Sequence, residues 1–139
     1  MYERILVAYD GSDGGTAALE RGAALAADSG ATLTVMEAIG DLEDRDQSVA
    51  LEPEAEAEAL SRLMQAIAAV DADIVCNPRV DGGHPVRAVV DVAEEISADL
   101  IVTGSRGEAM IPQAVLGRVS SGIVNRSPCD VLVVHPISN

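Results

Sequence analysis

The sequence contains no lysine, no phenylalanine and no tryptophan, and its aromatic content is 1%, two tyrosines in all. Each absence removes a class of function. Flavin rings and single-stranded nucleic acid are usually held on aromatic platforms, and none can be built here. A phosphate loop of the Walker type needs a lysine after its last glycine, so that mode of nucleotide binding is excluded. Basic residues are scarce as a whole: nine arginines stand against 23 acidic residues, a formal charge of −14. Duplex nucleic acid is therefore not an expected partner, because its binding rests on neutralising phosphates with Lys and Arg. Two readings of the imbalance stay open, a genomic bias toward Arg codons and a halophilic origin with a salty cytosol. Salt at about 1 M shortens the Debye length to roughly 3 Å, which would screen the self-repulsion of such a chain.

Cysteine is also sparse. Cys76 and Cys129 show neither C-x-x-C spacing nor paired histidines, so packed thiols are expected rather than a zinc site. No apolar run is long enough to span a bilayer. Met1-Tyr2-Glu3-Arg4 leads into a short apolar run ending at Asp10, which is not the pattern of a signal peptide. A cytoplasmic protein with no membrane partner is the expectation.

What remains is a strongly folding chain. Its 139 residues suit one domain over 1–139, and 48% of them are hydrophobic. Four β-branched runs have the character of buried strands: Ile5-Leu6-Val7-Ala8, Leu33-Thr34-Val35-Met36, Leu100-Ile101-Val102 and Val131-Leu132-Val133-Val134. A weaker fifth is Ile74-Val75-Cys76. Helical periods lie between them. Thr16 to Ala27 repeats Ala and Leu at three- and four-residue steps, and Glu52 to Val70 sets Leu60, Leu63, Met64, Ile67 and Val70 on one stripe. Pro53 suits a first helical position, with Glu54, Glu56 and Glu58 near the positive end of the helix dipole. Pro85 opens a third helix carrying Val86, Val89, Val90 and Ala93, and Val115, Leu116, Val119 and Ile123 mark a fourth, closed before Pro128. Asp41 to Leu51 reads as an acidic surface loop. Alternating strands and helices predict an α/β, Rossmann-like fold: five parallel strands with helices on both faces.

Ligands of such sheets bind beyond the carboxyl ends of the strands, where the strand order reverses. The informative residues are thus Tyr9-Asp10-Gly11-Ser12, Ala38-Ile39-Gly40 and Gly104-Ser105-Arg106-Gly107. Gly104 and Gly107 bracket a turn after the fourth strand, and Gly117 follows with nine residues between it and Gly107, near the start of the last helix. Glycines before a helix N-terminus let amide N–H groups converge on one concavity, a cradle suited to phosphate. Three glycines alone are weak; their setting between strand and helix, with Asp10 ending the first strand, strengthens them.

Ala98 through Gly107, then Gly117, then Ser127-Pro128-Cys129-Asp130 and Val131 to Val134, together with Ile5 through Ser12, resemble a universal stress protein. The likeness spans essentially the whole chain and is weakest from Asp41 to Asp81. The ATP-binding branch of that family carries G-x2-G-x9-G-(S/T), a far more specific signal than one loop. The resemblance implies sheet order 3-2-1-4-5 and an adenine nucleotide, ATP or a relative, with Mg²⁺ on its phosphates. It implies that Ala8, Tyr9 and Ala38 line the adenine with backbone, and that Asp10, followed by Gly11, accepts hydrogen bonds from ribose or adenine. Thr103, Gly104 and Ser105 would lie under the ribose and first phosphate, Arg106 and Gly107 beside the phosphate turn, and Gly117, Val119 and Ser120 at the mouth of the last helix. One position departs: Arg118 stands where the family has Ser or Thr. Its guanidinium either supplies phosphate donors or fills the pocket.

These implications amount to a small cytoplasmic stress-response protein, a dimeric nucleotide-dependent binding module. The dimer is expected to be isologous, joined antiparallel along Val131, Leu132, Val133 and Val134 at the sheet edge. A nucleotide-free scaffold acting through protein contacts and a slow ATPase using Asp10 or bound water are the alternatives. No nucleophile or general base is identified. Asp10-Gly11-Ser12 lacks the leading glycine of a nucleophile elbow, His84 and His135 each sit beside a proline without triad partners, and alternation keeps Glu54, Glu56 and Glu58 from sharing one helical face.

Overall fold

Parallel strands covered by helices on both sides must be apolar on both faces, and the first strand shows it: Ile5, Leu6 and Val7 are all fully buried. In a computed structural model describing residues 1–40, 50–70, 73–106 and 116–136, the chain runs β1 (Arg4–Ala8), α1 (Asp13–Ser29), β2 (Thr32–Ile39), α2 (Pro53–Ala68), β3 (Cys76–Gly82), α3 (Pro85–Glu95), β4 (Leu100–Gly104), α4 (Arg118–Arg126) and β5 (Asp130–Val134). All strand pairs are parallel and the order is β3-β2-β1-β4-β5. The predicted α/β architecture is therefore present, with the strand order reversing between β1 and β4.

Two cores flank the sheet. Ala18, Leu19, Ala23 and Ala26 of α1, with Leu63 of α2, pack against Ile5, Val7, Leu33, Val35 and Val102. Val86, Val89, Val92 and Ala93 of α3, with Ile123 of α4, pack against Leu6, Met36 and Ile101 on the other face. Short aliphatic side chains let the helices sit close. The methyl of an alanine at position 22 would run into the Val7 side chain, so Gly22 brings α1 down onto β1.

Two expectations need correction, and a third falls on residues that are not described. Ile74 and Val75 precede the strand, which begins at Cys76 and runs through Asn77, Pro78 and Arg79. An edge strand needs only one ladder, so it tolerates proline and polar residues that a central strand does not. Met64 leaves the apolar stripe of α2 and is 54% exposed, while Ala59 and Leu63 carry the burial. Val115 and residues 41–49 of the acidic loop lie outside the described residues.

The amino pole of the sheet is tied by short polar contacts. The Tyr2 hydroxyl donates to Asp130 Oδ2 at 2.8 Å, and this carboxylate partner pushes the phenol above its ordinary pKa. The N–H groups of Glu3 and Arg4 donate to Asp99 at 2.8 and 3.0 Å. Burial alone would raise Asp99, but these bonds outweigh it and hold the carboxyl below its usual range. Cys76 and Cys129 are free and half-buried, and burial pushes both thiols up. His84 serves structure: its Nδ1 accepts from Val86 N at 3.2 Å as the N-cap of α3.

Candidate functional site

The turn after β1 is built by Asp10. Its Oδ1 accepts from Ser12 N at 3.0 Å and from the Ser12 hydroxyl, while Ser12 Oγ accepts from Gly15 N at 3.1 Å and caps α1. Gly11 supplies the left-handed residue of this turn, with φ of 83°. The N-terminus of α1 is thereby satisfied from within. For α4 the N-cap is Gly117, which has no side chain to offer, and among the described residues no side chain accepts from the first amides of the helix.

The two helix starts flank one cleft of about 1060 Å³ over the carboxyl ends of β1 and β4. Of the expected residues, Ala8, Tyr9, Asp10, Gly11, Ala38, Thr103, Gly104, Arg106, Gly117, Arg118, Val119 and Ser120 all line it. Ser105 lies behind the wall instead, 1% exposed. Its N–H donates to the Val134 carbonyl at 2.8 Å, and its carbonyl accepts from Gly117 N at 2.7 Å and the Ser120 hydroxyl at 3.1 Å. Ser105 thus joins β4, β5 and the start of α4, and its own hydroxyl has no hydrogen-bond partner among the described residues. Gly107 lies outside the described residues.

The glycines divide differently from expectation. A Cβ on Gly104 would stand 2.5 Å from the Gly14 carbonyl oxygen and 2.8 Å from Gly14 Cα, so this glycine is demanded by the approach of α1 rather than by a ligand. Gly117 has φ of −69° and ψ of 168°, extended backbone that any residue adopts, and a Cβ there would meet nothing closer than 3.5 Å. The backbone at 117 thus does not require glycine, and a side chain there would compete only for space in the cleft.

Sequence reasoning missed Met36, Glu37, Gly15, Pro85, Val89 and Arg62, all on the cleft wall. The Gly14-Gly15 pair directly after the first turn was a readable signal of close packing. Arg62 carried none, since only the placement of α2 brings it there. The cleft has two chemical halves. Around β2 and α3 the wall carries the apolar Met36, Ala38, Ile39 and Val89, with Glu37 of β2 and Arg62 of α2 as the charged residues of that side; around β4 and α4 it offers Arg106, Arg118 and the helix start at Gly117. A ligand with a flat apolar end and an anionic end matches that division.

A doubly wound α/β domain with a ligand cleft at its topological switch point is what fold and site define. The family model described as the Universal stress protein family matches residues 1–135, and the chain belongs to that family. A universal stress protein of Thermus aquaticus is 36% identical over 142 residues, covering 97% of this chain and all of the relative. A crystal structure of a universal stress protein in complex with cAMP superposes with a TM-score of 0.75 at 32% identity, covering 98% of both chains. The universal stress protein UspA from Lactobacillus plantarum gives a TM-score of 0.75 at 26% identity, covering 96% of this chain and 97% of its own.

Proposed function

We propose that this chain binds an adenine nucleotide in the cleft between β1 and β4 and acts as a dimeric, nucleotide-dependent binding module of the cytoplasmic stress response. The observation that carries the reading is the polarity of the cleft: Met36, Ala38, Ile39 and Val89 give one end an apolar floor, while Arg106, Arg118 and a helix N-terminus that no side chain caps among the described residues stand at the other. The likeness to a family member bound to cAMP supports it. The base enters beside Ala8, Tyr9 and Ala38, the ribose approaches Asp10, and the phosphates run over Gly104 toward Gly117. ATP extends farthest along this path. Mg²⁺ enters on its phosphates, since among the described residues no group of acidic, histidine or cysteine side chains is arranged to hold a metal alone.

Arg118 is exposed at the cleft rim as the first residue of α4. That position favours a role on terminal phosphates over a plug. Solvent screening keeps such a contact modest, so Arg118→Ala weakens ATP about tenfold. AMP, which is shorter, loses much less, and Arg118→Ser restores part of the ATP affinity.

The dimer forms across the edge strand Val131–Val134, and the acidic surface suits a salt-rich cytoplasm. Denaturing the purified protein and assaying the supernatant for adenine nucleotide, followed by calorimetric titration with ATP, AMP and cAMP, tests the reading. A parent protein that neither carries nor binds any of them, while Arg118→Ser does bind, would identify a nucleotide-free scaffold.

A further inference from the structure

On the side of β2 the cleft wall carries a third arginine, Arg62, apart from the two at its β4–α4 end. Arg62 projects from α2, a helix packed on β2 and β3, whereas Arg106 follows β4 and Arg118 begins α4 on the opposite face of the sheet. Arg62 is exposed, and among the described residues it makes no ion pair or hydrogen bond, unlike Arg79 and Arg87. An arginine with no partner among the described residues is unusual in a chain with 23 acidic residues, and this one shares the cleft wall near β2 with Met36, Glu37, Ala38 and Ile39.

The composition narrows what it can do there. With no Phe or Trp in the chain and Tyr2 at the far pole of the sheet, Tyr9 is the one aromatic ring on the cleft. A guanidinium is planar, weakly hydrated and stacks on nucleobases much as an aromatic ring does. The geometry points to Arg62 as the cover of the base subsite, laying its guanidinium plane on the outer face of a purine. This inference rests on the nucleotide reading above and adds base selection to it. A purine offers a larger face than a pyrimidine, so the cover favours AMP over CMP.

The test is calorimetric titration of the parent and of Arg62→Ala, Arg62→Lys and Arg62→Tyr with adenosine, AMP, ATP and CMP. Arg62 is exposed and unpaired, so all variants should fold. In Arg62→Ala, adenosine, AMP and ATP should weaken by one common factor of about ten, because the contact is with the base. The preference for AMP over CMP should shrink with it. Arg62→Tyr should recover most of the affinity and Arg62→Lys little, since a plane is needed and not a charge. Recovery by lysine but not tyrosine would assign Arg62 to an anion and overturn the proposal. So would an Arg62→Ala protein that binds as tightly as the parent. A parent that binds none of the four ligands sinks the nucleotide reading itself, a result distinct from binding that ignores Arg62.

Discussion

The two edges of the sheet are built on opposite rules. At β3 the outer edge holds Cys76, Pro78 and Val80: Val75 O accepts from Leu33 N at 3.0 Å, which turns residues 75, 77, 79 and 81 toward β2 and their alternates outward. Pro78 therefore removes an outward N–H at the middle of the edge. Arg79 adds a second guard by bridging Asp81, through Nε at 2.8 Å, and Glu95 of α3. At β5 the same logic runs the other way. Val134 O accepts from Ser105 N, so Leu132 and Val134 face β4 and Val131 and Val133 point their N–H and C=O groups outward. No proline or charge interrupts Val131 to Val134. Edge strands left apolar and unpaired invite another strand, and those carrying proline and charge refuse one. Among the described residues the sheet thus has one closed edge and one open edge, an arrangement that fits the proposed closed dimer better than a filament.

The largest effect should come from closing the open edge. Val133→Pro removes an outward N–H without touching the β4 ladder, and sedimentation equilibrium should show the proposed dimer converted wholly to folded monomer. Val133→Thr, which keeps the N–H, should remain a dimer. If the proline variant also stays dimeric, another surface joins the protomers.

Opening the closed edge should have the next largest effect. Pro78→Val combined with Arg79→Ala gives the chain two pairable edges, so light scattering at high concentration should reveal species larger than a dimer. An unchanged mass would show that proline and charge are not what guard β3.

Salt should separate the edges more gently. Moving from about 0.1 M to about 1 M KCl shortens the Debye length from roughly 10 to roughly 3 Å. Repulsion between two protomers of charge −14 is then screened, so dimer affinity and melting temperature should rise together. A melting temperature that stays flat or falls across the KCl series returns the all-arginine composition to codon usage.

The smallest effect belongs to acid. The Arg79 guanidinium holds Glu95 below the usual carboxylate range, and the pair in turn raises Arg79. A depressed carboxyl contributes its stability above its unfolded-state value and loses it as pH falls through the folded one. The melting difference between parent and Glu95→Gln should accordingly be small at neutral pH and vanish in acid. Because Glu95 is exposed, a large difference would mean that it does more than pair with Arg79.

Much of this was legible before the fold. The apolar runs from Ile5, Leu33, Leu100 and Val131 became β1, β2, β4 and β5, because a strand buried on both faces must be apolar at consecutive positions. β3 was displaced for the complementary reason: exposed edge residues such as Asn77 and Pro78 carry no such signature. Within the cleft, the strand-end residues Ala8, Asp10, Ala38 and Thr103 followed from topology and family likeness together. Arg62 did not follow from either.

By itself, the sequence determined the order and type of the elements, the parallel sheet they form, and an aliphatic core, since these depend on residues within a few positions of one another. Tertiary structure decided what each marked residue is for. Gly104 yields to Gly14, 90 positions away in the chain; Ser105 lies behind the cleft wall and joins β5 and α4; Arg62 reaches the cleft only because α2 lies on β2 and β3. Local patterns are set by the periodicity of the backbone, but the neighbours of a side chain are set by which elements pack together, and no spacing along the chain records that.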